Sequence, residues 1–197
     1  TEPLPFHHRL QEAAARVPDA PAAEAGTIEA LRQEARRCTR CDLYCRATQT
    51  VFGEGPVDAE VMIVGEQPGD QEDLAGRPFV GPAGRVFDEA LSLASLDRKG
   101  LYVTNAVKHF KYEPRGKRRI HQRPNAGEVE QCRWWLTQEI DLVKPSLVVA
   151  MGATALFALT DRKDRLEDVR SRPIVMDETR TLFVTVHPSY LLRIPDQ

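Results

Sequence analysis

The sequence predicts an α/β domain of three layers, a central and mostly parallel β-sheet flanked by helices, on three observations. Short apolar runs rich in β-branched residues recur along the chain: VMIV (61–64), LYVTNAV (101–107), LVVAMG (147–152) and LFVTV (182–186). Helical patterns separate most of them, and polar, turn-forming segments follow three of the four. Strands apolar on both faces, with helices between them, are what a parallel sheet covered on both sides requires.

Taken in order, residues 1–26 are rich in Ala and Pro with little periodicity, and are expected to be a linker or part of a longer protein. The domain is expected over 27–197. TIEALRQEARR (27–37), led by Thr27 as a cap, predicts a short helix that delivers the chain to Cys38. After the first strand, GRVFDEALSLASL (84–96) predicts a helix, EVEQCRWWLTQEIDLV (128–143) a longer one and ATALFALT (153–160) a third. PIVMDETRT (173–181) is placed to pair with the last apolar run as a hairpin.

Composition narrows the function classes. With 42% apolar residues in 197, the chain can bury one sizeable core. A formal net charge of −2 means that any contact with nucleic acid must come from a local patch. No apolar run reaches membrane-spanning length and no secretory signal opens the chain, so a cytoplasmic protein is expected.

Ligands of parallel sheets bind beyond the carboxyl ends of the strands. GEQPGDQED follows the first strand, the second ends in TNAVKH and the fourth leads into HPSYLLR, so three polar segments converge on one rim. Read singly, GEQPGD is equally a Pro-Gly turn, Asn105 a strand cap and His187 a structural histidine; their shared position favours a site. Phe79, within GRPFVGPAG (76–84), is either a core aromatic or a stacking surface for a planar ligand.

Two further constellations stand out. Cys38-x2-Cys41 has metal-ligand spacing, and Cys132 falls on the inward face of its predicted helix with Val129, Leu136 and Ile140. A fourth donor is available from Cys45 or His109; zinc suits either set and an iron–sulfur cluster suits four cysteines. From Lys108 to Arg123 seven Lys or Arg stand against the single acid Glu113, with Phe110, Tyr112 and His121 among them. This run is expected as a basic loop with His121 at its tip, facing phosphates at the rim.

VFGEG, VGEQPGDQEDLAGRPFVGPAGR, YVTNAVKH, LVVAMGATA and VHPSYLLR resemble, in this order, the motifs of the iron–sulfur uracil-DNA glycosylases of family four, and KRRIH resembles the insertion of their UdgX branch. The likeness runs from Cys38 to Arg193. It implies a glycosylase that excises uracil from DNA, preferentially single-stranded, as a monomer in a bacterial cytoplasm. By the resemblance Phe79 stacks on the base, Asn105 reads its edge, Gln67 and Asp70 shape the pocket and His187 donates toward the base. Glu66 is the candidate counter-charge for the sugar cation, and Lys117, Arg118 and Arg119 the phosphate contacts. His121 is implied as a nucleophile that stays joined to C1′ of the sugar. A 4Fe-4S cluster is implied on Cys38, Cys41, His109 and Cys132, His109 standing where the parent family has a cysteine, with Cys45 in reserve. A turnover glycosylase and a non-catalytic iron–sulfur or nucleic-acid-binding module are the competing readings.

Overall fold

The computed structural model describes residues 27–194; the segment expected as a linker, 1–26, lies outside the described residues. Thr27 caps the first helix, its side chain accepting from Ala30 N, and α1 (Ile28–Ala35) buries Ile28, Leu31 and Ala35. A 3-10 turn (Asp42–Cys45) follows. Next come β1 (Val61–Gly65), α2 (Asp70–Ala75), α3 (Pro82–Leu93) and β2 (Leu101–Asn105). A separate pair, β3 (Tyr112–Arg115) and β4 (Arg118–His121), precedes α4 (Ala126–Val143), β5 (Leu147–Met151) and α5 (Ala153–Thr160). The described part closes with α6 (Leu166–Val169), β6 (Pro173–Val175), β7 (Thr181–Thr185) and α7 (Pro188–Leu191).

The main sheet has the order β2-β1-β5-β7-β6. Its first four strands run parallel, and β6 is antiparallel to β7, the local hairpin expected from PIVMDETRT. Alternation along β1 sorts the layers. Met62 and Val64 join the larger core with α1, α4 and α5, whereas Ile63 joins Phe79, Phe87 and Leu91 on the other face. The parallel α/β fold with helices on both faces is as the strand and helix patterns predict.

Two features set the site. β1 and β2 are in register, Gly65 opposite Asn105, so their carboxyl ends open side by side. Behind them lies a fully buried ion pair. Lys108 Nζ donates to Glu139 Oε2 (2.5 Å), Thr104 Oγ1 (2.7 Å) and the Asn105 carbonyl (2.6 Å). Glu139 Oε1 in turn accepts from Gly53 N, Tyr102 OH and Thr104 Oγ1. A buried charge survives only when paired and hydrogen-bonded, and this network is both, so it pins the end of β2 to α4. Among the described residues, no helix is long and apolar enough to cross a membrane.

The basic run is not a loop. Tyr112 pairs with His121, Glu113 with Ile120, Pro114 with Arg119 and Arg115 with Arg118, in an antiparallel hairpin turned at Gly116, whose φ of +60° favours glycine. The tip is Gly116–Lys117. His121 therefore sits at the base of the hairpin, against the body of the domain, rather than at its tip.

Candidate active site

The pocket begins with an absent side chain. A Cβ on Gly65 would lie 2.4 Å from Asn105 Oδ1 and 2.5 Å from Phe79 Cζ, so glycine at the end of β1 is what lets the Asn105 amide and the Phe79 ring converge. Both residues are buried. Phe79 has a left-handed backbone, φ +54°, which is costly for an aromatic residue. Arg98 holds that segment, donating to the Phe79 carbonyl (2.9 Å) and the Pro78 carbonyl (2.9 Å), while Gly84 of α3 leaves room for the Phe79 carbonyl behind it. The His187 ring stands 6.2 Å from that of Phe79, centroid to centroid.

His187 is held in one tautomer. Ser189 N donates to its Nδ1 (3.2 Å), so that nitrogen carries the lone pair and the neutral ring bears its proton on Nε2. Burial pushes its pKa below 6.5, against a weaker pull from Glu66, so the neutral donor prevails at pH 7.

Glu66, first beyond β1, joins the two sides of the rim. Its Oε2 accepts from Thr154 Oγ1 (2.6 Å) and its Oε1 lies 3.2 Å from His121 Nε2. Burial pushes the Glu66 carboxyl up, but hydrogen bonds from His121 and Thr154 and the charges of His121 and His187 outweigh it, and the net shift is downward. The carboxylate is thus ionised at neutral pH in a site where its side chain is only 22% exposed, whereas the His121 side chain is 50% exposed. An anion and an accessible imidazole share one edge of the pocket.

Three residues fix the hairpin that carries His121. Gln67 donates from Nε2 to the Lys111 carbonyl (3.2 Å) and the Gln122 carbonyl (3.0 Å), and accepts from Lys111 N (3.0 Å), clamping both strands at their base. Arg119 donates to Asp70 Oδ1 (2.5 Å) and Asp73 Oδ2 (2.5 Å), and its guanidinium lies over the Tyr112 and Phe110 rings at 5.2 and 5.4 Å. On a strand, positions two apart share a face, so Arg119 and His121 both point toward the domain. The side chains of Gln67 and Asp70, expected to shape the base pocket, bond to the hairpin. Arg119, expected on phosphates, has its guanidinium occupied by carboxylates. Lys117 and Arg118 are exposed near the tip, as a phosphate contact requires.

On the opposite side of β2 the cysteines gather. Cys38 and Cys132 lie in one buried cluster with Cys41 packed against it, while Cys45 is exposed. Trp135 Nε1 donates to Cys38 Sγ (3.1 Å) and Lys108 N to Cys132 Sγ (3.2 Å). Burial pushes the Cys132 thiol up to about 12, so a thiolate there needs a strongly cationic partner. His109 is buried, with one ring nitrogen 3.0 Å from Thr50 Oγ1 and Nδ1 without a partner. Burial depresses its pKa to about 4, leaving the neutral, ligating form at pH 7. The terminal nitrogens of Arg40, also buried and unpartnered, lie against Trp134, the guanidinium carbon 4.4 Å from its ring centroid.

Orphaned donors on Arg40, an orphaned nitrogen on His109 and N–H bonds aimed at two sulfurs fit an anionic metal–sulfur group. No group of three or more His, Cys, Asp or Glu among the described residues is gathered as around one ion.

Sequence reasoning assigned nothing to Thr154, Arg98 or Glu139, and it counted Lys108, which is fully buried, among the cations of the basic run. Thr154 is hidden in an apolar helix and the other three among ordinary surface-type charges; only a polar residue inside an otherwise apolar run, ATALFALT, was a usable signal.

Residues 52–197 match the family model described as the uracil DNA glycosylase superfamily. A type-4 uracil-DNA glycosylase of Thermotoga maritima is 37% identical over 167 residues, 84% of this chain and 83% of that protein. One from Pyrobaculum aerophilum is 38% identical over 85% of this chain and 86% of its own length, and a type-5 enzyme of the same organism is 34% identical over about half of each. A family model spanning most of the chain, together with relatives this similar over more than four-fifths of both lengths, establishes that the chain belongs to the uracil-DNA glycosylase superfamily.

Proposed function

We propose that this protein excises uracil from DNA and is left covalently joined, through His121, to C1′ of the sugar it uncovers. The observation that carries this reading is a half-exposed imidazole held 3.2 Å from a carboxylate at the edge of the pocket. A turnover enzyme needs only a water at that position.

Uracil in a duplex must first be rotated out of the stack, a cost that a single strand largely spares. The Phe79 ring then stacks on the base and the Asn105 amide reads its edge. As the N1–C1′ bond breaks, its electron pair departs with uracil, and the Nε2–H of neutral His187 donates toward the developing negative charge. Positive charge grows on the sugar, and the ionised Glu66 carboxylate stabilises it. The lone pair of a His121 ring nitrogen then forms the new bond to C1′, faster than water because the ring is already oriented by Glu66. The proton lost from the resulting imidazolium balances the anionic uracil. Lys117 and Arg118 hold phosphates, and Arg119 acts by keeping the hairpin docked.

Cys38, Cys41, His109 and Cys132 would hold a 4Fe-4S cluster, whose contribution there is to tie the turn after α1 and the Lys108–His109 segment to α4.

The reading is tested by incubating the protein with a uracil-containing oligonucleotide, assaying free uracil and running denaturing electrophoresis. It requires both free uracil and a protein–DNA species stable to heat and detergent, with neither from a thymine control. Free uracil without that species makes the protein a conventional turnover glycosylase. Neither product leaves a non-catalytic iron–sulfur or nucleic-acid-binding module.

A further inference from the structure

The turn from β5 into α5 places one polar residue at the rim that has no part in the chemistry above. Thr154 is 4% exposed and sits second in α5, which follows the strand paired with β1, and Glu66 lies just beyond the end of β1. Gly152, before it, has φ +93°, and a Cβ there would lie 3.3 Å from that of His187, so the turn is packed against the His187 side of the pocket. The Thr154 hydroxyl has two partners: Arg123 Nε at 3.3 Å and Glu66 Oε2 at 2.6 Å. A guanidinium only donates. The hydroxyl oxygen must therefore accept from Arg123, and its single proton is directed to Glu66.

We infer that Thr154 is the positioning residue of Glu66, dividing the work of its carboxylate between two oxygens. Oε2 is tethered to the hydroxyl, which fixes the plane of the carboxylate and favours its ionised form. Oε1 is left to face His121 and the sugar. Arg123, two-thirds exposed and 3.9 Å from Glu66 Oε2, orients the hydroxyl from the solvent side without taking the carboxylate for itself. The inference rests on the reading that Glu66 supports the departing base.

Thr154→Val removes the hydroxyl and keeps the shape; Thr154→Ser keeps the hydroxyl. Single-turnover uracil release at saturating oligonucleotide should fall roughly ten- to hundredfold in Thr154→Val, the loss expected for a hydrogen bond to a charged group. Oligonucleotide affinity should hold, the acid limb of the rate should move to higher pH, and Thr154→Ser should restore both rate and limb. A purely structural Thr154 would lower thermal stability and leave the acid limb in place. Carbon-13 titration of the Glu66 carboxyl supplies a readout that needs no turnover: its pKa should rise in Thr154→Val and return in Thr154→Ser. An unchanged titration in the valine variant overturns the inference whatever the activity. If Glu66→Gln still releases uracil at the wild-type rate, the reading of Glu66 fails, irrespective of what Thr154 does to its titration.

Discussion

Two histidines twelve positions apart, His109 and His121, show how one residue type is put to opposite uses on the two sides of β2. His109 is buried at 3% exposure, stripped of charge by its surroundings and left with a ring nitrogen facing no partner. His121 is half-exposed and bound to an anion. The segment between them explains the difference. Lys108 and His109 are pulled inward by the Lys108–Glu139 pair and the bond from Lys108 N to Cys132 Sγ, after which the hairpin carries the chain out over the rim and returns it at His121. Burial without a partner suits a ligand; exposure beside a carboxylate suits a nucleophile.

The largest expected effects break the exposed side of this comparison. His121→Gly should abolish the covalent species while uracil release continues, now with free abasic DNA and multiple turnovers, because water enters the vacated position. Glu66→Ala should act otherwise, lowering uracil release and adduct formation together by about a hundredfold or more, since the sugar cation loses its counter-charge. The pH dependence carries the sign. Glu66 must be ionised and its partners hold its carboxyl below the ordinary carboxylate range, so release measured in the wild-type protein should persist as pH falls through that range and disappear only below it.

The buried side is broken by removing a donor. Cys132→Ser should lose iron and sulfide and destabilise the fold, whereas Cys45→Ala, altering an exposed residue, should retain both in anaerobically prepared protein. Arg40→Met should keep the donors and shed the cluster faster in the presence of chelator, as absorbance decay would record, since the terminal nitrogens of Arg40 are buried without partners and its charge interacts with Cys38 and Cys132. Zinc without iron or sulfide in the wild-type protein would reassign the cradle.

The smallest effects sharpen the hairpin itself. Lys117→Ala or Arg118→Ala should flatten the log–log salt dependence of oligonucleotide binding by about one unit and change the adduct yield little. Arg119→Ala should do the reverse, with little change in slope and a slower adduct, because its guanidinium is spent on Asp70 and Asp73. Equal slope changes in all three variants would mean that Arg119 lets go of its carboxylates to meet DNA.

The same contrast explains what could be read from the chain. The four parallel strands were legible because burial on both faces writes them as continuous apolar runs, and ATALFALT coincides with α5. The hairpin was not. Exposed on much of its surface and crowded with cations, β3 and β4 lack the alternation that marks a half-buried strand, and a Pro at position 114 speaks against one. The pairing of Arg119 with Asp70 and Asp73 was not legible because those partners stand 49 and 46 residues away. Thr154 was missed because a hydroxyl on an apolar helix reads as packing until the strand beside it supplies Glu66.

The most direct test of the account is peptide mapping of the protein after reaction with a uracil-containing oligonucleotide. Digestion with protease and nuclease followed by mass spectrometry should find the peptide containing Ile120-His121-Gln122 enlarged by the abasic sugar, with fragmentation placing the added mass on His121. Uracil released in full with every peptide at its unmodified mass would contradict the covalent mechanism, and the added mass on any other residue would contradict the role given to His121.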